Sequence, residues 1–165
     1  MKAAVKKRIL VLLSLTIFMI DQAVKICIRG IPLYAVSFSA APLFEITHCE
    51  NTGAAFSILS GRTGLLSAVS LVLLLVLIGG LWCVFGKDRL SLGMVACLIG
   101  GGAGNLTDRL LRGSVTDYIR MLFIDFPVFN FADICITISV IVLSFNLISG
   151  RLDEHPEEST HGTDY

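Results

Sequence analysis

Two aspartates in apolar surroundings are the residues of this chain whose type and position first suggest chemistry. Asp133 lies in a hydrophobic run, and no Lys or Arg occurs within four residues of it. Asp117 is predicted to lie in a short, semi-apolar loop, and its nearest cation is Arg120. Carboxylates in such surroundings are costly and usually mark function. A catalytic pair that shares a proton and a proton or cation relay are both open interpretations.

Other polar residues form short clusters at the ends of apolar runs. The clusters are DQAVK at 21–25, NTGAAFS at 51–57, GNLTDR at 104–109 and FNFAD at 129–133. Such a repeated arrangement suggests that the clusters meet in one site, once the apolar runs are placed side by side.

Each cluster also has a structural interpretation. Asp21 and Lys25 are four residues apart and can pair on one helix face. Asp108 and Arg109 can cap a helix end and pair with each other. Asn residues are good helix caps, which applies to Asn51, Asn105 and Asn130. None of these local explanations accounts for Asp133.

The composition places the clusters at the ends of membrane helices. The chain has 165 residues, of which 55% are hydrophobic and only 16% charged, against roughly 25% charged in soluble domains. A bilayer core is crossed by about 20 apolar residues in a helix. Four stretches qualify: 9–28, the residues between Arg62 and Lys87, those between Arg89 and Asp108, and 126–150.

Basic residues in the first segment set the predicted orientation. Lys and Arg favour the cytoplasmic side of a membrane, so a start with Lys6, Lys7 and Arg8 predicts a cytoplasmic N-terminus. Segments 29–62 and 108–128 are then extracytoplasmic, and every polar cluster lies near the outer leaflet. A signal peptide is the alternative for the first run, but that run is long and lacks a prompt cleavage site.

The segments outside the four runs have their own predictions. Alternation of Tyr34, Val36 and Phe38 predicts short strands on the membrane surface within 29–62. His48 to Glu50 is interpreted as a polar surface triplet. The last fifteen residues, 151–165, are acidic and predict a solvated, disordered tail on the cytoplasmic side.

Several classes of site are excluded by residue usage. The five cysteines have no metal-ligand spacing. The three histidines fall outside the apolar runs, which removes a histidine metal site or a Ser-His pair at membrane depth. No basic stretch is long enough to form a nucleic-acid groove. We therefore expect neither a metal nor a nucleic acid.

The ordered motifs DQAVK, NTGAAFS, GNLTDRLLRGSVTDYI and FNFADICIT resemble those of lipoprotein signal peptidase, also called signal peptidase II, over about residues 8–150. The resemblance implies an all-α membrane protein, with four transmembrane helices and a small extracytoplasmic β-cradle in a domain of residues 1–150. It also implies an aspartyl endopeptidase that removes the signal peptide from diacylglyceryl-modified prolipoproteins by cleaving before the lipidated cysteine.

The resemblance further implies the roles of individual residues. Asp117 and Asp133 are expected to be the catalytic dyad, which needs no cofactor. We expect a monomer in the bacterial cytoplasmic (inner) membrane, with both termini cytoplasmic and with membrane lipids and lipidated prolipoproteins as partners. The residues at supporting or substrate-binding positions are Asp21, Lys25, Asn51, Gly53, Ala55, Asn105, Asp108, Arg109, Asn130 and Ala132.

Two other classes of protein compete with this interpretation. A small transporter also places carboxylates in lipid, but usually in mid-helix rather than at the outer end. An assembly subunit would use the glycines of 100–104 for helix packing, but it leaves Asp117 and Asp133 unexplained. Cleavage of a lipidated prolipoprotein without an ion gradient separates these classes.

Overall fold

Four long helices and a small antiparallel sheet make up the part of the fold that the structure describes. The structure, a computed structural model, describes residues 3–53, 61–81 and 89–149. The predicted acidic tail at 151–165 lies outside the described residues. The helices are α1 (Ala3–Arg29), α2 (Thr63–Val76, continued by a π-helical turn at Leu77–Leu81), α3 (Arg89–Arg112) and α4 (Phe131–Ile148).

The four helical regions are each long and apolar enough to cross a membrane, and the second of these spans is Thr63–Gly80. This confirms the prediction of four spans. Their ends differ from the predicted ones, since α3 continues past Asp108 to Arg112 and α4 begins at Phe131 rather than near 126. Exposed apolar side chains cover the outer faces of the helices, including Val72 and Leu75 on α2.

Helix α3 is the central helix and contacts the other three. Its glycines allow this, because larger side chains would collide with the neighbouring backbones. A Cβ at Gly100 would lie 2.6 Å from the Ser14 carbonyl oxygen of α1, and a Cβ at Gly101 would lie 2.9 Å from the Ala132 carbonyl oxygen of α4. Gly100 and Gly101 therefore serve the close packing of α3 against α1 and α4. The buried core beside them consists of Val95, Leu98 and Leu143.

Three strands form a sheet at one end of the helices. They are β1 (Val36–Ala40), β2 (Phe44–Asn51) and β3 (Val115–Met121), and β2 lies between the other two. Both pairings are antiparallel. The alternation predicted strands here correctly, although Tyr34 itself lies before β1 with a φ of 63°.

Strand β3 corrects the prediction that Asp117 lies in a loop. Asn51 pairs with Val115, and Cys49 pairs with Asp117. The strand is stabilised by this pairing with β2, a segment more than sixty residues earlier in the chain. No local pattern in the sequence reports such a partner.

The start of α4 is fastened to β3. Phe129 pairs with Ile119 in an isolated bridge, and the Phe131 backbone N–H donates to the Tyr118 hydroxyl oxygen at 3.0 Å. The first N–H groups of a helix have no partner within the helix, so Tyr118 supplies one. As a result, the strand that carries Asp117 and the helix that carries Asp133 are held together.

Candidate active site

Asp117 is buried on β3, with 2% of its surface exposed. Its Oδ1 accepts a hydrogen bond from Asn130 Nδ2 at 2.6 Å, and its Oδ2 accepts one from Asn51 Nδ2 at 3.0 Å. The Asn51 amide is itself oriented, because its Oδ1 accepts from the Gly53 backbone N–H at 2.9 Å. Both oxygens of Asp117 therefore face neutral amide donors.

Asp133 lies in the first turn of α4, where Asn130 is the N-cap residue. Asn130 Oδ1 accepts from the Asp133 N–H at 3.0 Å, and the Asn130 N–H donates to Asp133 Oδ2 at 3.1 Å. This reciprocal capping box confirms Asn130 as a cap. The other oxygen of Asp133, Oδ1, accepts from Asn105 Nδ2 at 2.8 Å.

Asn130 is the residue that connects the two aspartates. Its side-chain nitrogen binds Asp117, while its side-chain oxygen and its backbone N–H bind Asp133. The residue is fully buried. A single residue, through its side chain and its backbone N–H, thus fixes the carboxylate of a strand relative to the carboxylate of a helix.

The two carboxylates line one cavity of about 430 Å³. Asn51 and Arg109 lie with them in its wall. The rest of the wall is largely apolar. Most of it comes from the segment before α4 and from the amino-terminal half of α4, and it includes Phe126, Val128, Phe129, Ile134 and Ile138. Such a cavity can hold an apolar segment beside two groups that exchange protons.

The pKa of Asp117 is raised from its ordinary value of 3.8 to about 7. Burial is the largest cause and the negative charge of Asp133 is the next, and together they outweigh the hydrogen bonds from Asn51 and Asn130, which lower this pKa. Asp117 therefore keeps a proton up to near-neutral pH, as expected for one member of a carboxylate pair that shares a proton.

A buried ion cluster lies behind the site. Lys25 contacts Asp21 at 2.9 Å and Asp108 at 3.5 Å, and Arg29 contacts Asp108 at 3.2 Å. The local Asp21–Lys25 pair is confirmed. The predicted pairing of Asp108 with Arg109 is wrong, because α3 continues through both residues and turns Asp108 toward the cations of α1.

The remaining supporting residues have distinct positions. Arg109 donates to the Gly53 carbonyl oxygen at 3.3 Å, which ties the end of β2 to α3. Ala132 is fully buried against Gly101, so a larger side chain there would separate α3 from α4. Ala55 lies outside the described residues.

Two residues near the site depart from sequence expectations. Tyr118 anchors α4, but the sequence offered it only as part of an apolar stretch. His48 was predicted on the surface and is instead buried, with its Nδ1 2.8 Å from the Ile31 carbonyl oxygen. The prediction fails because β2 runs through His48 and packs it beside the end of α1.

Comparison of the sequence with known families gives a match over most of the chain. The family described as "Signal peptidase (SPase) II" matches residues 13–149. A lipoprotein signal peptidase of Lactiplantibacillus plantarum is 36% identical over 141 residues, which cover 85% of this chain and 94% of that protein. One of Streptococcus pneumoniae is 34% identical over 152 residues, covering 90% and 97%.

Solved structures give the same result for the fold. A bacterial membrane enzyme determined by the in meso method at 2.3 Å superposes with a TM-score of 0.78 and 28% identity, covering 92% of this chain and 94% of the other. A second, determined at 1.9 Å, has a TM-score of 0.71 and 31% identity.

Proposed function

Because the chain belongs to the signal peptidase II family, we propose that Asp117 and Asp133 are the two carboxylates with which it cleaves its substrates. The protein is a membrane-embedded aspartyl endopeptidase that removes signal peptides from prolipoproteins. The observation that carries the assignment of the two residues is that Asn130 bridges two carboxylates in the wall of one cavity. Its side-chain Nδ2 donates to Asp117 Oδ1, and its backbone N–H donates to Asp133 Oδ2.

In the proposed reaction Asp117 starts protonated and Asp133 starts ionised. Asp133 takes a proton from a water molecule, whose oxygen forms a bond to the scissile carbonyl carbon. Asp117 gives its proton to the carbonyl oxygen and so neutralises the charge that develops there. The tetrahedral intermediate then returns one hydroxyl proton to Asp117, Asp133 protonates the leaving nitrogen, and the C–N bond breaks. The elevated pKa of Asp117 supports this order.

The substrate's position follows from the two halves of the cavity. The polar end holds the dyad, Asn51 and Arg109, which suits a peptide bond and its carbonyl groups. The apolar side, formed by residues such as Phe126 and Ile138, suits the apolar part of a lipidated signal peptide. We place the scissile bond, immediately before the lipidated cysteine, at the junction of the two.

The site is proposed to lie at the outer leaflet, with both termini in the cytoplasm. The charge of the N-terminal segment supports this orientation. Apolar side chains are exposed at the same end of the molecule. They include Phe38 on β1, Leu43 in the turn between β1 and β2, and Phe123 just after β3. These suit a membrane interface, where water reaches the dyad while the acyl chains remain in lipid.

A single chain in one catalytic unit of residues 1–150 is the proposed working form. Among the described residues, one chain supplies both aspartates and a hydrogen-bond donor to each of their four carboxylate oxygens. Lipids are the proposed partners of the outer helix faces, where apolar residues such as Val72 and Ile141 are exposed.

Purified protein in detergent tests the activity. A diacylglyceryl-modified prolipoprotein should be cut immediately before the modified cysteine, with no ion gradient present, and mass spectrometry of the products reports the bond. The same precursor without the lipid is the matched control and should be cut far more slowly. Absence of cleavage, together with gradient-dependent transport in vesicles, would favour the transporter instead.

A further inference from the structure

Lys25 is a fully buried cation that contacts the active site from behind. Its Nζ lies 2.7 Å from Asn105 Oδ1, in addition to its contacts with Asp21 and Asp108. Asn105 donates its Nδ2 to Asp133 Oδ1 at 2.8 Å. Lys25 is not among the described residues that line the cavity, so one side chain separates it from the carboxylate.

We propose that Lys25 is a positioning residue, which sets the orientation of the Asn105 amide and thereby keeps an N–H group aimed at Asp133. The inference rests on the proposed catalytic role of Asp133. An ammonium group only donates hydrogen bonds, so the amide atom that faces Lys25 must be the oxygen. The amide nitrogen then necessarily faces Asp133.

The orientation of Asn105 depends mainly on Lys25. Among the described residues, the second donor to Asn105 Oδ1 is Asn130 Nδ2 at 3.2 Å, but that nitrogen lies closer to Asp117, at 2.6 Å. Without Lys25 the amide oxygen loses its charged donor and keeps the longer bond from Asn130, so the turned orientation of the amide becomes easier to reach. A turned amide directs its oxygen at the carboxylate of Asp133. The partial negative charge of that oxygen destabilises ionised Asp133, which is the form that acts as the base.

The effect of removing Lys25 should appear in kcat rather than in KM. Lys25→Met keeps the length and apolar stem of the side chain but has no donor. Turnover per folded enzyme should fall about tenfold or more, as expected for loss of support by one hydrogen bond to a charged group. KM for the lipidated prolipoprotein should stay within about twofold, because Lys25 does not reach the cavity.

Arg29→Met is the matched control. Arg29 lies on the same helix and contacts the same Asp108, but its described bonds do not include Asn105. Its loss should lower the melting temperature in detergent and leave kcat per folded enzyme within about twofold of the wild-type value. Lys25→Met could fold poorly because it leaves the buried carboxylate of Asp21 without its cation. In that case the double variant Asp21→Asn/Lys25→Met, which removes this carboxylate charge as well, is measured in its place.

A double-mutant cycle with Asn105→Ala decides the route of action. Since Lys25 acts through Asn105, Lys25→Met should cause no further loss of kcat in the Asn105→Ala background. An equal loss in both backgrounds, or a kcat unchanged by Lys25→Met, overturns the inference. Asp133→Asn, measured in the same assay, separates failure of the Lys25 inference from failure of the proposed function. An active Asp133→Asn enzyme would overturn the catalytic assignment of Asp133 itself.

Discussion

All four carboxylate oxygens of Asp117 and Asp133 accept hydrogen bonds from uncharged N–H groups, supplied by three asparagines. Neutral donors fix the direction of a carboxylate without holding it permanently ionised, as a direct salt bridge would. The buried cations bind Asp21 and Asp108 instead. In the proposed mechanism, this arrangement leaves one proton free to move between Asp117 and Asp133 during the reaction.

The raised pKa of Asp117 predicts the alkaline limb of the pH–rate profile. In the proposed mechanism the protonated form of Asp117 is the active one, so kcat/KM should fall as the pH rises through about 7. In Asn51→Ala the hydrogen bond that lowers this pKa is absent, and the limb should move to higher pH. Glu45→Gln removes a carboxylate of the same sheet outside the site and should leave the limb in place. A limb unmoved in Asn51→Ala would contradict this account of Asp117.

At the scale of elements, the sequence predicted the helices better than the contacts between them. Apolar length is a local property, and it identified all four spans. The strand around Asp117 depends on pairing with β2, and the burial of His48 depends on packing against α1. The capping role of Asn130 was also local, whereas its bond to Asp117 required the sheet. The partners of Asp108 could not be predicted because helix α3 extends beyond the expected end.

Helix contacts at glycine predict a graded set of substitutions. Gly101→Ala should lower both melting temperature and turnover, because its Cβ would lie 2.9 Å from the Ala132 carbonyl oxygen, beside Asp133. Gly104→Ala should be more harmful, since its Cβ would overlap the Asp21 carboxylate. Gly93 has nothing within 4 Å of an added Cβ, and Gly93→Ala should resemble the wild type. Equal melting and turnover for all three variants would contradict this packing.

At the scale of the whole molecule, the polar ends of three helices and the sheet meet at one end of the bundle. The carboxyl-terminal parts of α1 and α3 bring the ion cluster and Asn105, and the first turn of α4 brings Asp133. The sheet brings Asp117 and Asn51. Away from this end, exposed apolar side chains such as Val72 and Ile141 cover much of the described helix surface, as expected for anchoring in lipid.

The orientation of this end is open to a direct measurement. Reporter fusions after Tyr34 and after Arg151 should show opposite locations, with Tyr34 outside and Arg151 in the cytoplasm. The reason is the basic N-terminal segment, which favours retention in the cytoplasm. Fusions that report the same side at both positions would contradict a four-span topology with an external site.

The catalytic pair is tested most directly by cleavage of a lipidated prolipoprotein by Asp117→Asn and Asp133→Asn, normalised to folded enzyme. Both substitutions nearly conserve shape, so folding should survive and thermal melting in detergent verifies it. Each variant should lose cleavage entirely, because each removes one carboxylate of a pair that shares a proton. The double variant should be no worse than either single one. Substantial turnover by either variant at normal stability would contradict the catalytic role of that aspartate.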